Sequence, residues 1–468
     1  MSINRPIQKN HSQAVPRYLV FFDTESNSEN VPGENNKQRH TLRLGVAILG
    51  RWRDGKLSGR RVIRFTRWQQ FWKAVRTYLR PRQTVWMFAH NIGFDLTLVN
   101  LWDLLDNEIF ELSAPRRNRQ SGDDNGRPGR VSSGLFVTES PPTIIGLQHS
   151  KGGRVVCCDT LNWWRSSLAD IGKWSGVEKM PFPGLGAEQE QLFQYCENDV
   201  KICEAAVCKL ISWVEQHDLG MFRYTAPGQA YSAFRHRFMS HKIWPHDNDR
   251  LKQLERSGYF GGQYLLFKMG LIRGPVYQFD VNGLYASCMK DNCFPVDLER
   301  FRRGVKMYDR EPSINLSRAV ATVQVDTDQL IPRRRQSGQV EYATGEFVTT
   351  LYGPELVRLH QLGHIKRWGA YALYKVQPIF TEYIEFFWQL RQRYLEEGDK
   401  ISGEMCKMFL NSLYGKWAQR SSRWKHFPDV TLECLWGMHT RRDYSDNSLA
   451  IYRAISGEAF RKMPPAEK

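Results

Sequence analysis

The sequence predicts an α/β and α+β multidomain chain, and three observations carry that expectation. The first 215 residues alternate apolar strand runs with amphipathic helices, and a second strand–turn–helix series begins near residue 271. With 468 residues and 41 % hydrophobic content, the chain can also build two or three proper cores. RYLVFFD is a short apolar run rich in Val and Phe, read as a buried strand that carries Asp23 and Glu25 at i and i+2. Strand alternation puts both side chains on one face. After the polar loop SNSENVPGENNKQRH, TLRLGVAIL is its hairpin neighbour. TVWMFAHN reads as another strand and GFDLTLVNLWDLL as a helix, leaving Asp95 near their junction. RRNRQSGDDNGRPGR, at 116–130, has no periodicity and reads as a mobile loop within a domain. GRVVCCDTLNWW returns as strand and turn. In EQLFQYCENDVKICEAAVCKLISWVEQH the apolar residues recur at helical spacing, which sets Tyr195 and Asp199 one turn apart on one face.

Composition narrows the partner. Formal charge is +17, and 15 Trp, 19 Tyr and 25 Phe are spread along the chain. Excess cation attracts polyanions and aromatic rings offer stacking surfaces for unpaired bases, so nucleic acid is the expected partner. Nine cysteines without regular spacing, two of them adjacent at 157 and 158, argue against a disulfide framework or a zinc pattern and for a reducing compartment. MSINRPIQKNHSQAVPR lacks the apolar core of a secretory signal, and no stretch approaches a membrane span.

The chemistry sits in two constellations. Asp23, Glu25, Asp95 and Asp199 come from separated segments, as a two-cation site requires, because Mg²⁺ or Mn²⁺ prefers hard oxygen ligands and keeps positions open for water and phosphate. The reaction implied is phosphodiester hydrolysis. Downstream, FDVNGLYAS with Asp280 reads as strand, turn and start of helix, and EFFWQLRQRYLEEGDKISGEMCKMFLNSLYGKWAQR as two helices around a Gly-Asp turn. Lys407, Asn411 and Tyr414 then share one helical stripe, suited to a ligand whose triphosphate meets Lys407 and whose base meets Tyr414. Arg391 and Arg393 add candidate phosphate contacts, and Arg333–Arg335 with Arg367 and Trp368 are candidate duplex contacts.

In this order DxE, NxxFD and YxxxD, followed by motif A around Asp280 and KxxxNSxYG as motif B, resemble the family B DNA polymerases over roughly residues 17–420. The resemblance implies an RNase H-like 3′–5′ exonuclease domain followed by an incomplete polymerase palm and short helical fingers. Asp23, Glu25, Asp95 and Asp199 would hold two Mg²⁺ or Mn²⁺ ions, and Tyr195 would orient the attacking water. Asn91 and Phe94 would contact the 3′ end. Ser167 and Leu168 match the family's (S/T)L element, Lys179 its K-x-x-hydrophobic element, and Tyr259 with Gly261 and Gly262 its YxGG element. Asp280 and Val281 would bind the polymerase metals and Tyr285 would exclude a 2′-hydroxyl. Gly283 and Ala286 depart from the usual Ser and Pro of DxxSLYP, which leaves the turn geometry open.

The spacing of motifs A and B is similar to the protein-primed branch found in certain phages and linear plasmids. It implies DNA and dNTPs as partners and a terminal protein primer that contacts an insertion within 300–370. The setting implied is the cytoplasm of a phage-infected or plasmid-bearing cell, with a mitochondrial linear plasmid as the other. The expected divisions are a flexible N-terminus at 1–16, the exonuclease domain at 17–215, a connection at 216–270, and partial palm and fingers at 271–468. RDYSDNS, with Tyr444 and Asp446, echoes the YxDTDS element but lacks its second Asp. The chain is therefore expected to be truncated before motif C and the thumb, or to be half of a split enzyme completed by a C-terminal fragment. A stand-alone exonuclease with a polymerase remnant and a DNA-binding half of a split polymerase are the alternatives.

Overall fold

The computed structural model describes residues 5–30, 38–101, 104, 110–112, 143–149, 152–184, 186–262, 265–304, 306–335, 339–418, 423–426, 437–442, 449–455 and 458–463. They form two compact units, a larger one of Asn10–Arg237 with Phe386–Ala466 and a smaller one built on Phe238–Glu385. The cuts at 237 and 385 differ from the sequence boundaries at 215 and 270, because the last two helices belong mostly with the N-terminal residues.

The larger unit is organised by a seven-stranded sheet. Its strands are β1 (Tyr18–Asn30), β2 (Gln38–Arg53), β3 (Lys56–Phe65), β4 (Thr84–Ala89), β5 (Phe110–Leu112), β6 (Ile144–His149) and β7 (Arg154–Asp159), in the order β3-β2-β1-β4-β7-β6-β5. The first three are antiparallel, whereas β4 runs parallel to β1 and β7 parallel to β4. Leu19, Val20, Phe21 and Phe22 are all fully buried, which is why β1 reads as a continuous apolar run: both of its faces are covered. On one face Phe22, Phe65, Phe71, Trp72, Val85 and Met87 form a core with α1 (Trp68–Val75) and α2 (Ile92–Leu98). After α3 (Leu168–Ser175) comes α4 (Gln189–Gln216), which lies against β1 and β2. Its Leu192, Cys196, Val200, Cys203, Val207, Leu210 and Val214 recur at helical spacing and are buried. Glu188 and Gln191 close its N-terminus with a capping box. A further helix, α5 (Ala226–Ala233), is capped by Thr225 and admits Pro227 in its first turn.

The smaller unit contains α6 (Asp249–Ser257), α7 (Leu284–Asp291), β8 (Phe294–Arg302), β9 (Ala319–Arg334), β10 (Val340–Tyr352), α8 (Gly353–Gln361) and β11 (Ile365–Gln377). Its antiparallel sheet has the order β10-β9-β11-β8, and Val323, Val325, Leu356, Leu359, Trp368 and Leu373 make its core. Two expectations are corrected here. YQFD does not form a buried strand: residues 265–282 pair with no strand among the described residues, and Phe267 and Phe279 are 86 % and 91 % exposed. Without a ladder partner an apolar run has no reason to settle into a sheet. The proposed duplex contacts are also largely engaged elsewhere. Arg333 and Arg335 both pair with Glu341, Arg367 pairs with Asp309 at 3.0 Å, and Trp368 is core.

The helix α9 (Thr381–Glu396) leads through Gly398 and Asp399 to α10 (Lys400–Ala418), as the Gly-Asp turn predicts. Beyond it β12 (Arg423–His426), β13 (Gly437–Arg442), β14 (Leu449–Ile455) and β15 (Glu458–Met463) form an antiparallel sheet in the order β12-β15-β14-β13, which the sequence reading does not contain. Tyr444, Asp446 and the loop at 116–130 lie outside the described residues. No described helix is long and apolar enough to cross a membrane.

Candidate active site

Four acids from β1, α2 and α4 converge in the larger unit. Asp23 and Glu25 stand on β1, where the pairing with β2 slips in register just after Glu25. Such a bulge re-aims side chains at a strand end. Asn91, in the left-handed region at φ 65°, turns the chain from β4 into α2 and sets Asp95 on that helix's first turn, 3 % exposed. Asp199 and Tyr195 lie one turn apart on α4, and Lys179 touches both. Its ammonium pairs with the Asp199 carboxylate and sits 4.5 Å from the centre of the Tyr195 ring.

The electrostatics follow from this crowding. Burial, and then the charges of Asp95, Asp199 and Glu25, hold the Asp23 carboxyl well above the usual carboxylate range. Burial and Asp199 push Glu25 up to about 7, against the opposing pull of Lys179 and Arg43. Burial raises Asp95 to about 8, although the Thr24 hydroxyl donates to it at 2.5 Å and works the other way. Asp199 is raised by burial and held down in part by Lys179. Burial acts to lower Lys179, but its bonds to Asp199 and Tyr195 outweigh that and raise it.

Residues that carry no motif hold this arrangement. The Asp159 carboxylate, 2 % exposed at the end of β7, accepts from the main-chain N–H of Asn91, Ile92 and Leu161 and so pins the turn into α2. Asn198 clamps the Lys179 loop by accepting from the Met180 N–H at 2.8 Å and donating to the Glu178 carbonyl at 3.0 Å. The Cys196 thiol donates to the Asp23 carbonyl at 3.2 Å. Asp159 and Asn198 left faint signals, an Asp ending an apolar strand and an Asn beside Asp199, yet nothing local distinguishes them from surface residues.

The donor set suits a divalent cation. The oxygens are hard and anionic, and buried Oδ1 of Asp199 has no hydrogen-bond partner among the described residues. As it stands, however, no three His, Cys, Asp or Glu side chains among the described residues are disposed to hold one ion. Thr24 draws Asp95 toward β1 and Lys179 occupies the other oxygen of Asp199, so the expected Asp23–Glu25–Asp95–Asp199 cage is a cluster of acids rather than a formed ligand shell.

The other candidate residues are placed as follows. Phe94 is exposed on α2, edge-on to His40 at 5.4 Å, and His40 is a neighbour the sequence did not suggest. Ser167 caps α3 by accepting from the Asp170 N–H and donating to its carboxylate, and Leu168 is buried, so both have structural tasks. In the smaller unit Tyr259 is exposed and its carbonyl accepts from Arg334 at 2.6 Å. Gly261 is at φ 78°, in open space, and Gly262 is exposed beside it. Asp280, Val281 and Tyr285 are exposed in the same unit. Gly283 takes φ 67° as the residue before α7, a conformation that favours glycine, and Ala286 is buried within that helix. Lys407 and Asn411 are exposed on α10, with Tyr414 half-buried on the same stripe. Arg391 is half-buried near Cys406, its Nε without a partner among the described residues.

Residues 188–428 match the family described as DNA polymerase type B, organellar and viral. A protein of Neurospora intermedia named "Probable DNA polymerase" is 21 % identical over 241 residues, covering 49 % of this chain and 24 % of its own length. The chain thus spans about a quarter of that curated relative. Phi29 DNA polymerase, in its orthorhombic crystal form, aligns with a TM-score of 0.57 at 17 % identity over 96 % of this chain and 74 % of the other. Its ternary complex with primer-template DNA and incoming nucleotides aligns at 0.58 and 14 % identity, with the same coverage. At these identities the likeness is one of fold, a mixed α/β multidomain architecture. With the family match extending over more than half of its length, this chain belongs to the organellar and viral type B DNA polymerases.

Proposed function

We propose that the larger unit is a 3′–5′ exonuclease that removes nucleotides from single-stranded DNA ends, and that the chain proofreads within a DNA polymerase. One observation carries this reading: four acids from three elements are buried together, so that each is held above its ordinary protonation range, and buried Oδ1 of Asp199 has no hydrogen-bond partner among the described residues. The strand order β3-β2-β1-β4-β7, antiparallel then parallel, with acids on β1 and on flanking helices, supports an RNase H-like domain.

Asp23, Glu25, Asp95 and Asp199 would hold Mg²⁺ or Mn²⁺, which when bound stabilises charge on the phosphate and activates water. The chain's own groups do the rest. Phe94 and Asn91 at the mouth of α2 offer a ring and an amide to the terminal nucleotide. Lys179, paired with Asp199, sets a positive charge beside the acids, where it would offset charge on the scissile phosphate. Tyr195, bound to Lys179, places its phenol beside the water that attacks.

Hydrolysis of a 3′-labelled single strand tests the reading. Asp23→Ala and Asp199→Ala should each lower the rate by roughly 10³-fold or more, since each removes a would-be metal ligand and with it stabilisation of transition-state charge. Undiminished hydrolysis in either variant would refute it.

A second activity, nucleotide addition, is favoured by the exposed stripe of Lys407 and Asn411 on α10. In that reading Asp280 and Val281 bind metal, Tyr285 selects the sugar, and Arg391 and Tyr414 border the dNTP. Residues 300–370, which include the end of β8, all of β9, β10 and α8, and part of β11, would meet a terminal protein primer, and a C-terminal fragment would complete the palm.

A further inference from the structure

We propose that His40 is a specificity-determining residue of the acid site in the larger unit, forming with Phe94 a right-angled pair of rings that grips an unpaired strand behind its terminal nucleotide. The chain itself sets the place. The ring centres of His40 and Phe94 lie 5.4 Å apart at an interplanar angle of 79°, and Phe94 directly precedes Asp95 on α2. On β2, His40 stands opposite Ser28 of β1 and reaches diagonally to Ser26, whose Oγ is 3.1 Å from its Nδ1. Ser26 directly follows Glu25, at the slip in register. Both groups that fix the His40 ring are therefore immediate chain neighbours of site acids.

Packing does not account for the pair. Phe94 is 39 % exposed and His40 is exposed as well, so the two rings shield little of each other from water. What they offer is ring surface at the edge of an acidic site. Bases of an unpaired strand have faces free to stack on such a surface, whereas bases inside a duplex are already stacked on their neighbours. Two rings at right angles cannot both lie flat on one base, so Phe94 takes the terminal nucleotide and His40 the next. With the Ser26 hydroxyl donating to Nδ1, the imidazole proton sits on Nε2, which makes no hydrogen bond among the described residues and is available to a backbone phosphate.

This role rests on the exonuclease reading and extends it from the end of the strand to the nucleotide behind it. His40 lies in no motif of the sequence, and only the fold brings it to Phe94, 54 positions away along the chain (94 − 40).

Two probes on the full chain test it: fluorescein-labelled hexathymidylate, and a labelled hairpin whose 3′ end is fully paired. In chelator, where nothing is hydrolysed, His40→Ala should weaken binding of hexathymidylate roughly tenfold, and His40→Phe by no more than about threefold because a ring is kept. With Mg²⁺, His40→Ala should raise KM for the single strand roughly tenfold and leave kcat within about twofold, since the ring holds ground state and transition state alike. Neither variant should alter hairpin binding or the melting temperature. The proposal is overturned if the parent does not bind hexathymidylate, if His40→Ala binds it like the parent, if His40→Phe binds it as weakly as His40→Ala, or if the hairpin loses as much affinity as the single strand. A parent that binds hexathymidylate without hydrolysing it would refute the exonuclease alone, and the anisotropy series would still decide the role of His40.

Discussion

Four like charges in one place make protonation a structural variable at the scale of residues. Glu25 and Asp95 ordinarily lose their protons near 4.5 and 3.8, but in the folded chain they do so near 7 and 8. The folded state therefore binds more protons than the unfolded one between these values, and stability falls as pH rises through that window. In a chelating buffer the melting temperature should drop by several degrees between pH 5 and pH 8, and Mg²⁺ should restore more of it at pH 8 than at pH 5. A melting temperature that rises with pH in chelator would contradict the burial of these acids. The acids were legible in the sequence because their spacing within strand and helix is local. Thr24, Asp159 and Asn198 were not, since the groups they bond lie 71, 67 to 68 and 18 to 20 residues away along the chain.

Among elements, the short link between α3 and α4 decides where Lys179 stands. Gly172 allows this: a Cβ added there would lie 2.6 Å from the Val177 carbonyl oxygen, 3.1 Å from Ile202 on α4 and 3.4 Å from the Lys179 N–H nitrogen. Gly172→Ala should push that loop outward, cost about 1–3 kcal/mol of stability and lower single-strand hydrolysis roughly tenfold. Chemical denaturation and the labelled-strand assay check it, and a fully active, equally stable variant would show that Lys179 needs no such placement. The helices α4 and α10 were readable from periodicity because each buries one stripe. The run YQFD misled for the same reason: its apolar residues look like a buried strand, and whether they become one depends on a partner that no local pattern supplies.

For the whole molecule, a formal charge of +17 should make single-stranded DNA binding strongly salt-dependent, with a log–log slope near −0.7 for each phosphate contacted. Binding that is flat between 50 and 300 mM salt, roughly the span over which multi-phosphate contacts lose several orders of magnitude, would exclude a groove that tracks the backbone. Primer extension is expected to be feeble for these 468 residues alone, because Asp280 lies on an exposed segment with no sheet partner among the described residues to fix its geometry toward a metal. Sustained incorporation that Asp280→Ala abolishes would show that the segment orders by itself on DNA. The sequence by itself determined the order of motifs, the strand and helix types that bear them, and the chemistry of their side chains, since all of these rest on spacings of a few residues. Only the tertiary structure decided that Asp159 anchors α2, that Thr24 and Lys179 restrain the acids, that α10 counts with the N-terminal sheet, and that the segment bearing Asp280 meets no strand partner among the described residues. Each of those depends on which distant groups meet and what burial then demands of them, and a linear pattern carries no record of that meeting.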